Sequence, residues 1–314
     1  MNANVRRAVE ILRAGGLVAF PTETVYGLGA DASSEAALKK LYAVKGRPAG
    51  HPVIVHFASA DEAFAWAREV PEAARRLAAR FWPGPLTLIL KRSARAGDFV
   101  TGGQDTVGLR VPSHPVAQAL LSEFGSGVAA PSANRFGRVS PTRAAHVRED
   151  LGEDVDLVLE GGDSEVGIES TIVDLSRGRA VLLRHGAITP AMLEQALGAA
   201  VAAADAGAPR ASGTLERHYA PKTPLRLVAS HALDQEISRA GGGTAVLAYS
   251  RPDERAARWL RMPREPQGYA HRLYAALREL DAAGCALILV EEPPQDAAWA
   301  AVRDRLKRAA APQA

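Results

Sequence analysis

Cys285 is the single cysteine in this 314-residue chain. One thiol excludes an intrachain disulfide and any cysteine-cluster metal site, and the apolar neighbours of Cys285 point to a buried structural group. Redox chemistry is set aside on that ground. The sequence also lacks any uninterrupted apolar run near the roughly 18 residues that a membrane span requires. Met1-Asn2-Ala3-Asn4-Val5-Arg6 has neither an apolar signal core nor a cleavage pattern, which points to a cytoplasmic protein. There is no phosphate loop ending in Gly-Lys-Ser/Thr, no paired-histidine zinc helix, no serine nucleophile elbow and no spaced carboxylate cluster. Those absences argue against P-loop nucleotide binding, metalloenzyme chemistry and covalent hydrolysis. A Lys/Arg stripe interleaved with aromatics is missing as well, as is the signature of an RNA-binding fold.

What is present is an ordinary globular composition, 47% apolar and 23% charged, over a length that suits two domains. A net charge of +3 and a pI near 9.1 permit an anionic partner without demanding nucleic acid. Arginine far outnumbers lysine, so each lysine draws scrutiny. Helical and strand signals alternate over the first two-thirds. Residues 5–14 read as a helix stopped by Gly15-Gly16, and a helix capped by Ser33 or Ser34 runs to Lys40. Helical stretches are expected near 61–68 and 71–81. Strands are expected at 17–20, 52–57, 86–90, 107–111, 128–130, 157–159, 170–175 and 180–184. Thr189-Pro190 opens a further helix ending near Gly198. Interleaved strands and helices make the class α/β. Residues 199–214 are small and flexible and read as an interdomain linker. Beyond them, strands near 225–229, 244–248 and 286–290 alternate with helices at 233–239 and 270–283. This is a smaller second α/β domain.

The densest chemistry lies in Pro21-Thr22-Glu23-Thr24-Val25-Tyr26-Gly27-Leu28-Gly29, followed by Lys45-Gly46-Arg47-Pro48. Hydroxyls and backbone donors at a strand end suit a small polar ligand, and two cations bracketing a glycine suit a polyanion. A solvated helix C-terminus would also explain Lys45 and Arg47. Gly27 to Ala32 imitates a dinucleotide fingerprint, but no strand leads directly into its glycines. His56 within an apolar strand reads as a core histidine when taken alone. Arg110 within another needs a carboxylate, from the protein or from a ligand. Ala130-Pro131-Ser132-Ala133-Asn134, Glu169-Ser170-Thr171-Ile172 and Leu183-Arg184-His185 add polar groups at strand margins. No nucleophile stands among them, so the set favours holding and aligning two polar substrates.

Taken in order and spacing, these segments and Phe81-Trp82-Pro83-Gly84-Pro85-Leu86-Thr87 resemble the YrdC-like threonylcarbamoyl-AMP synthases over about the first 200 residues. His218-Tyr219-Ala220-Pro221-Lys222 resembles the long form of that family. The resemblance implies a twisted open mixed sheet flanked by helices over 1–200. A linker and active-site lid over 201–224 and a smaller Rossmann-like α/β domain over 225–314 would follow. It implies synthesis of L-threonylcarbamoyl-adenylate from L-threonine, bicarbonate or CO2, and ATP with Mg2+, releasing pyrophosphate. The product would feed N6-threonylcarbamoylation of adenosine 37 in tRNA through a partner transferase, with direct tRNA contact left open. Thr24, His56, Arg110, Ser132 and Ser170 would then hold threonine, with Arg110 on its carboxylate. Lys45, Arg47, His51, Thr106, Asn134, Thr142, Arg184 and Tyr219 would surround ATP, and Lys45 and Arg47 would carry the catalytic charge. The metal would be held through the phosphates rather than by protein side chains. His51 stands where the family often has Asn, and His185 where it often has Pro. Tyr219 is expected in a linker that folds over the nucleotide, and the Glu23 carboxylate is left to orient Thr24 or neighbouring cations or to face solvent. A non-catalytic double-stranded RNA or tRNA binding module is the alternative.

Overall fold

The computed structural model describes residues 3–250 and 253–312. The chain divides into two compact units. The first holds residues up to Phe136, Pro141–Glu165 and Glu169–Thr214; the second holds Gly137–Ser140, Val166–Ile168 and the chain from Leu215 onward.

The first unit is built on β1 (Val18–Phe20), β2 (Gly27–Asp31), β3 (Ile54–His56), β4 (Leu86–Lys91) and β5 (Thr106–Arg110). Its sheet continues with β6 (Val128–Ala129), β7 (Leu157–Val158), β8 (Thr171–Asp174), β9 (Val181–Arg184) and β10 (Ala202–Ala203). Among the described residues these form one mixed sheet in the order β10-β9-β8-β4-β5-β3-β6-β2-β1-β7. Its helices are α1 (Ala3–Arg13), α2 (Glu35–Lys45), α3 (Ala60–Phe64), α4 (Glu72–Phe81), α5 (Asp98–Thr101), α6 (Pro115–Phe124), α7 (Ala144–Leu151) and α8 (Pro190–Leu197).

Side-chain alternation along the strands separates two apolar layers. In β1 and the residue before it, Leu17 and Ala19 join a cluster with Leu38, Leu41, Leu77 and Leu88. Val18 and Phe20 turn to the opposite cluster, with Val9 and Leu12 of α1 and Leu120 and Leu121 of α6. That second face is not apolar throughout. Toward β4 and β8 it carries only a small cluster of Ile54, Ile89 and Ile172, completed by Ala211 from the segment after β10. Polar side chains occupy the same face, because β3 and β5 run parallel in a register that pairs Ile54 with Gly108 and His56 with Arg110.

Several expectations are corrected. Gly27 to Asp31, where no strand is expected, is a strand antiparallel to both β1 and β6. A Cβ on Gly29 would meet Phe20 and Val128 side chains at 2.9 Å each, so the glycine reflects neighbours pressing on that strand. The helix capped by Ser34, whose hydroxyl accepts from Ala37 N, extends past Lys40 to Lys45 and ends at left-handed Gly46. The helix expected near 61–68 stops at Phe64, because Arg68 N and Ser93 N bond to Lys91 O and Trp66 O in an extended pairing. Cys285 is half-buried between a turn at 282–284 and a strand, not fully buried. Helices α6 and α7 were not anticipated.

The second unit is a parallel sheet of β11 (Leu225–Val228), β12 (Thr244–Ala248), β13 (Arg258–Arg261) and β14 (Leu287–Glu291) in the order β11-β14-β12-β13. Helices α9 (Leu233–Ala240), α10 (Pro266–Asp281) and α11 (Ala300–Ala309) accompany it. Among the described residues no helix is long and apolar enough to cross a membrane.

Candidate active site

Where β3 and β5 end, the first unit gathers buried polar groups. Arg110 Nη2 donates to Glu23 Oε1 at 2.8 Å, with both side chains about 95% buried, and Ser113 N donates to Glu23 Oε2 at 3.2 Å. Glu23 therefore balances Arg110. Two further atoms beside this pair have no hydrogen-bond partner although they are buried: Arg110 Nε and His56 Nδ1. Groups of that kind are costly unless something completes them. Burial holds His56 neutral down to about 3, with the Arg110 charge adding to the effect.

Thr24 sits at the edge of this cluster through the turn that follows β1. Thr22 Oγ1 donates to Val25 O at 2.6 Å and accepts from Thr24 N and Val25 N at 3.2 Å each. The two threonine hydroxyls lie 2.8 Å apart, and Thr24 is fully buried. A hydroxyl two or three residues ahead of bonded amides is the local reason this stretch turns. Ser170, fully buried just before β8, shares a hydrogen bond with Thr87 Oγ1 at 2.8 Å. Ser132 follows β6 and is bridged to Gly27.

The cations form a second group within the same unit. Arg184, closing β9, donates to Ser170 O at 3.0 Å, to Ser170 Oγ at 3.1 Å and to Ser212 O at 2.8 Å. Arg47 donates to Pro52 O at 2.8 Å and to Ser212 Oγ at 3.2 Å, and its guanidinium lies 5.6 Å from the Phe136 ring centroid. Ser170 thus links the hydroxyl cluster to Arg184, and Ser212 bridges Arg184 to Arg47. His51 packs against Phe136 with centroids 5.6 Å apart, and its pKa is lowered by burial and then by the charges of Arg47 and Arg210. Lys45 is buried on α2, and its Nζ donates to the backbone carbonyls of Ser132 and Asn134. Desolvation, with Arg47 second, holds the Lys45 pKa well below the usual lysine range.

Not every expected residue lies at this centre. Thr106 opens β5, four residues and about 13 Å of strand before Arg110. Thr142 is buried, with its N donating to His146 Nδ1 at 3.3 Å and its O accepting from Ser164 N. Asn134 Nδ2 donates to Arg135 O at 2.7 Å. Tyr219 belongs to the second unit, where it stacks on Tyr274 with centroids 5.7 Å apart and lies under the Arg305 guanidinium at 5.2 Å. It is also a non-glycine residue with positive φ, 61°.

Residues that single segments did not reveal are Glu23 as partner of Arg110, Thr87 as partner of Ser170, and Ser212. The last lies in the stretch that composition marks as flexible. Arg210 fastens that stretch to Gly50 O and Gly102 O at 2.9 and 2.8 Å, and Gln104 exchanges two hydrogen bonds with the Arg210 backbone. Among the described residues, no group of three or more His, Cys, Asp or Glu is arranged to hold a metal ion.

Known proteins place this arrangement. A family described as telomere recombination, Sua5_yciO_yrdC, matches residues 10–186, and the threonylcarbamoyl-AMP synthase C-terminal domain matches residues 188–311. A threonylcarbamoyl-AMP synthase of Pyrococcus abyssi is 38% identical over 97% of this chain and 93% of its own length. One from Bacillus subtilis is 38% identical over 98% and 92%. The crystal structure of P. abyssi Sua5 complexed with L-threonine aligns with a TM-score of 0.91 at 36% identity, covering 98% of this chain and 94% of that one. The chain belongs to the Sua5/YciO/YrdC family, in the form that carries the threonylcarbamoyl-AMP synthase C-terminal domain.

Proposed function

We propose that this protein makes L-threonylcarbamoyl-adenylate from L-threonine, bicarbonate or CO2, and ATP, releasing pyrophosphate, in the cytoplasm. The product supplies N6-threonylcarbamoylation of adenosine 37 in tRNA through a separate transferase. The observation that carries this reading is the pair of buried, uncompleted nitrogens, Arg110 Nε and His56 Nδ1, on adjacent strands and one sheet face. A small zwitterion suits them: its carboxylate completes Arg110, and its hydroxyl meets the Thr24 and Ser170 side. Full-length relatives named for the same synthesis, one of them with threonine bound, support the choice of amino acid.

In the proposed sequence, threonine's amine attacks CO2, forming an N–C bond and releasing a proton. A carbamate oxygen then attacks the α-phosphorus of ATP, the bond from that phosphorus to the β-bridging oxygen breaks, and pyrophosphate leaves with the electron pair. No covalent enzyme intermediate is required. Arg47 and Arg184 are buried cations suited to the phosphates, and removing either should cost about 2–5 kcal/mol of binding or transition-state energy. His51, Thr106, Asn134, Thr142 and Tyr219 are assigned to the nucleotide by their motifs, and Ser132 to threonine. Lys45 is given a positioning role, through the Ser132 and Asn134 carbonyls that its ammonium holds, in place of the phosphate contact its motif implies. Mg2+ would arrive on the triphosphate and add charge neutralisation there; a set of arginines and hydroxyls fits an ion carried by the substrate rather than one held by carboxylates. Mass spectrometry of the product from ATP, bicarbonate and threonine tests the reading, with serine as the control amino acid. An adenylate formed equally well from serine, or none from threonine, refutes it.

A further inference from the structure

Lys45 is a cation with no ion-pair partner among the described residues. Its Nζ donates to Ser132 O and Asn134 O, and its own carbonyl accepts from Phe136 N at 2.8 Å. Three hydrogen bonds thus fasten one residue of α2 to alternate members of the loop after β6. Only 2% of the residue is exposed. At Gly46 the chain turns away with φ of 62°, so the lysine closes the helix where the next cation, Arg47, takes a different direction toward Pro52 and Ser212.

That loop carries two side chains with different assignments, Ser132 toward threonine and Asn134 toward ATP. A carbonyl on each is what Lys45 holds. We infer that Lys45 is a positioning residue that sets the 132–136 loop, and through it couples the threonine and nucleotide subsites, rather than a counter-ion of the triphosphate. The inference rests on the synthase reading of the site. Its physical basis is geometric: removing the ammonium takes one donor from each carbonyl, Ser132 O keeping Asn134 N at 3.0 Å, and severs two of the three ties between α2 and the loop. The low proton affinity that burial and Arg47 impose on Lys45 agrees with a lysine that lacks a carboxylate partner.

The discriminating measurement is threonine affinity without nucleotide, by titration calorimetry on the full chain. Lys45→Met should weaken threonine binding about tenfold or more, although threonine carries no phosphate. Arg47→Met should leave that affinity within twofold and weaken ATP alone. Lys45→Arg keeps the charge but puts a longer, planar guanidinium where a compact ammonium sits between the two carbonyls, and should behave like Lys45→Met. A non-hydrolysable ATP analogue adds a second readout: the factor by which it changes threonine affinity should fall toward one in the lysine variants, which a general loss of stability would not produce. Should Lys45→Met lack a cooperative melting transition, Lys45→Arg decides the question. Threonine affinity within twofold of wild type in the lysine variants, with ATP binding reduced, overturns the inference and returns Lys45 to the phosphates. Wild-type protein that binds no threonine overturns the synthase reading itself, and the positioning role with it.

Discussion

Replacing Arg110 by methionine leaves Glu23 as a carboxylate 4% exposed at its side chain, with Ser113 N still donating to it. Breaking a buried pair from one side costs about 3–5 kcal/mol, because the surviving charge stays desolvated. At about 2–4 °C per kcal/mol for a unit of this size, the melting temperature should fall by about 6–20 °C. Glu23→Gln combined with Arg110→Met removes both charges while keeping an acceptor for Ser113. The double variant should recover most of the loss and remain about 1–2 kcal/mol below wild type. Urea unfolding of the wild type, both singles and the double yields the coupling energy, the sum of the two single losses less that of the double, expected at about 4 kcal/mol or more. Threonine-dependent pyrophosphate release separates stability from function, since the double variant should be folded and inactive. Arg110→Met within about 1 kcal/mol of wild type, or a double variant no more stable than that single, would refute the buried-pair argument.

His56 supplies a pH dependence. Its folded-state pKa is about 3 against 6.5 for the ordinary side chain, so between those values the unfolded chain binds the extra proton. The stabilisation is complete above 6.5 and is lost as pH falls toward 3, amounting to about 2 kcal/mol between pH 6.5 and pH 5. His56→Gln should show a shallower loss of stability over that interval, and an unchanged slope would assign the effect elsewhere. Arg210→Ala removes the two bonds to Gly50 and Gly102 and should speed limited proteolysis within 205–214 by roughly tenfold. Equal cleavage rates would mean that other contacts hold the segment.

Local chemistry made much of the first unit readable. The β-branched or leucine-rich runs at 52–57 and 86–90 are strands because such side chains suit a sheet buried on both faces. Thr189-Pro190 starts α8 through a cap bond from Met192 N and a proline in the first turn. Gly27 to Asp31 gave no such signal, since its composition answers to Phe20 and Val128 across the sheet rather than to intrinsic preference. Helix α6 carried a readable start in His114-Pro115, whose ring accepts from Val116 N, yet it drew no attention beside the polar motifs. At the site, Arg110 stands out by type, as a charge within an apolar strand, whereas Thr24 and Ser170 are singled out only through the motifs they belong to. That Arg110 faces His56 depends on the register of parallel strands whose paired residues lie 54 positions apart, and that Glu23 answers Arg110 depends on a contact spanning 87. Ser212 was least accessible, because a serine amid alanine and glycine acquires meaning only when two arginines converge on it.

Ala211 bears on how this protein can be divided. It closes the cluster of Ile54, Ile89 and Ile172 on the sheet face that also carries His56 and Arg110. A fragment ending at residue 186, where the first family match stops, or at residue 200, would strip that cover and present three isoleucines to water beside an uncovered Arg47 and Arg184. A fragment of the first unit that keeps this cover therefore has to run through Thr214, and one cut earlier would be prone to self-association.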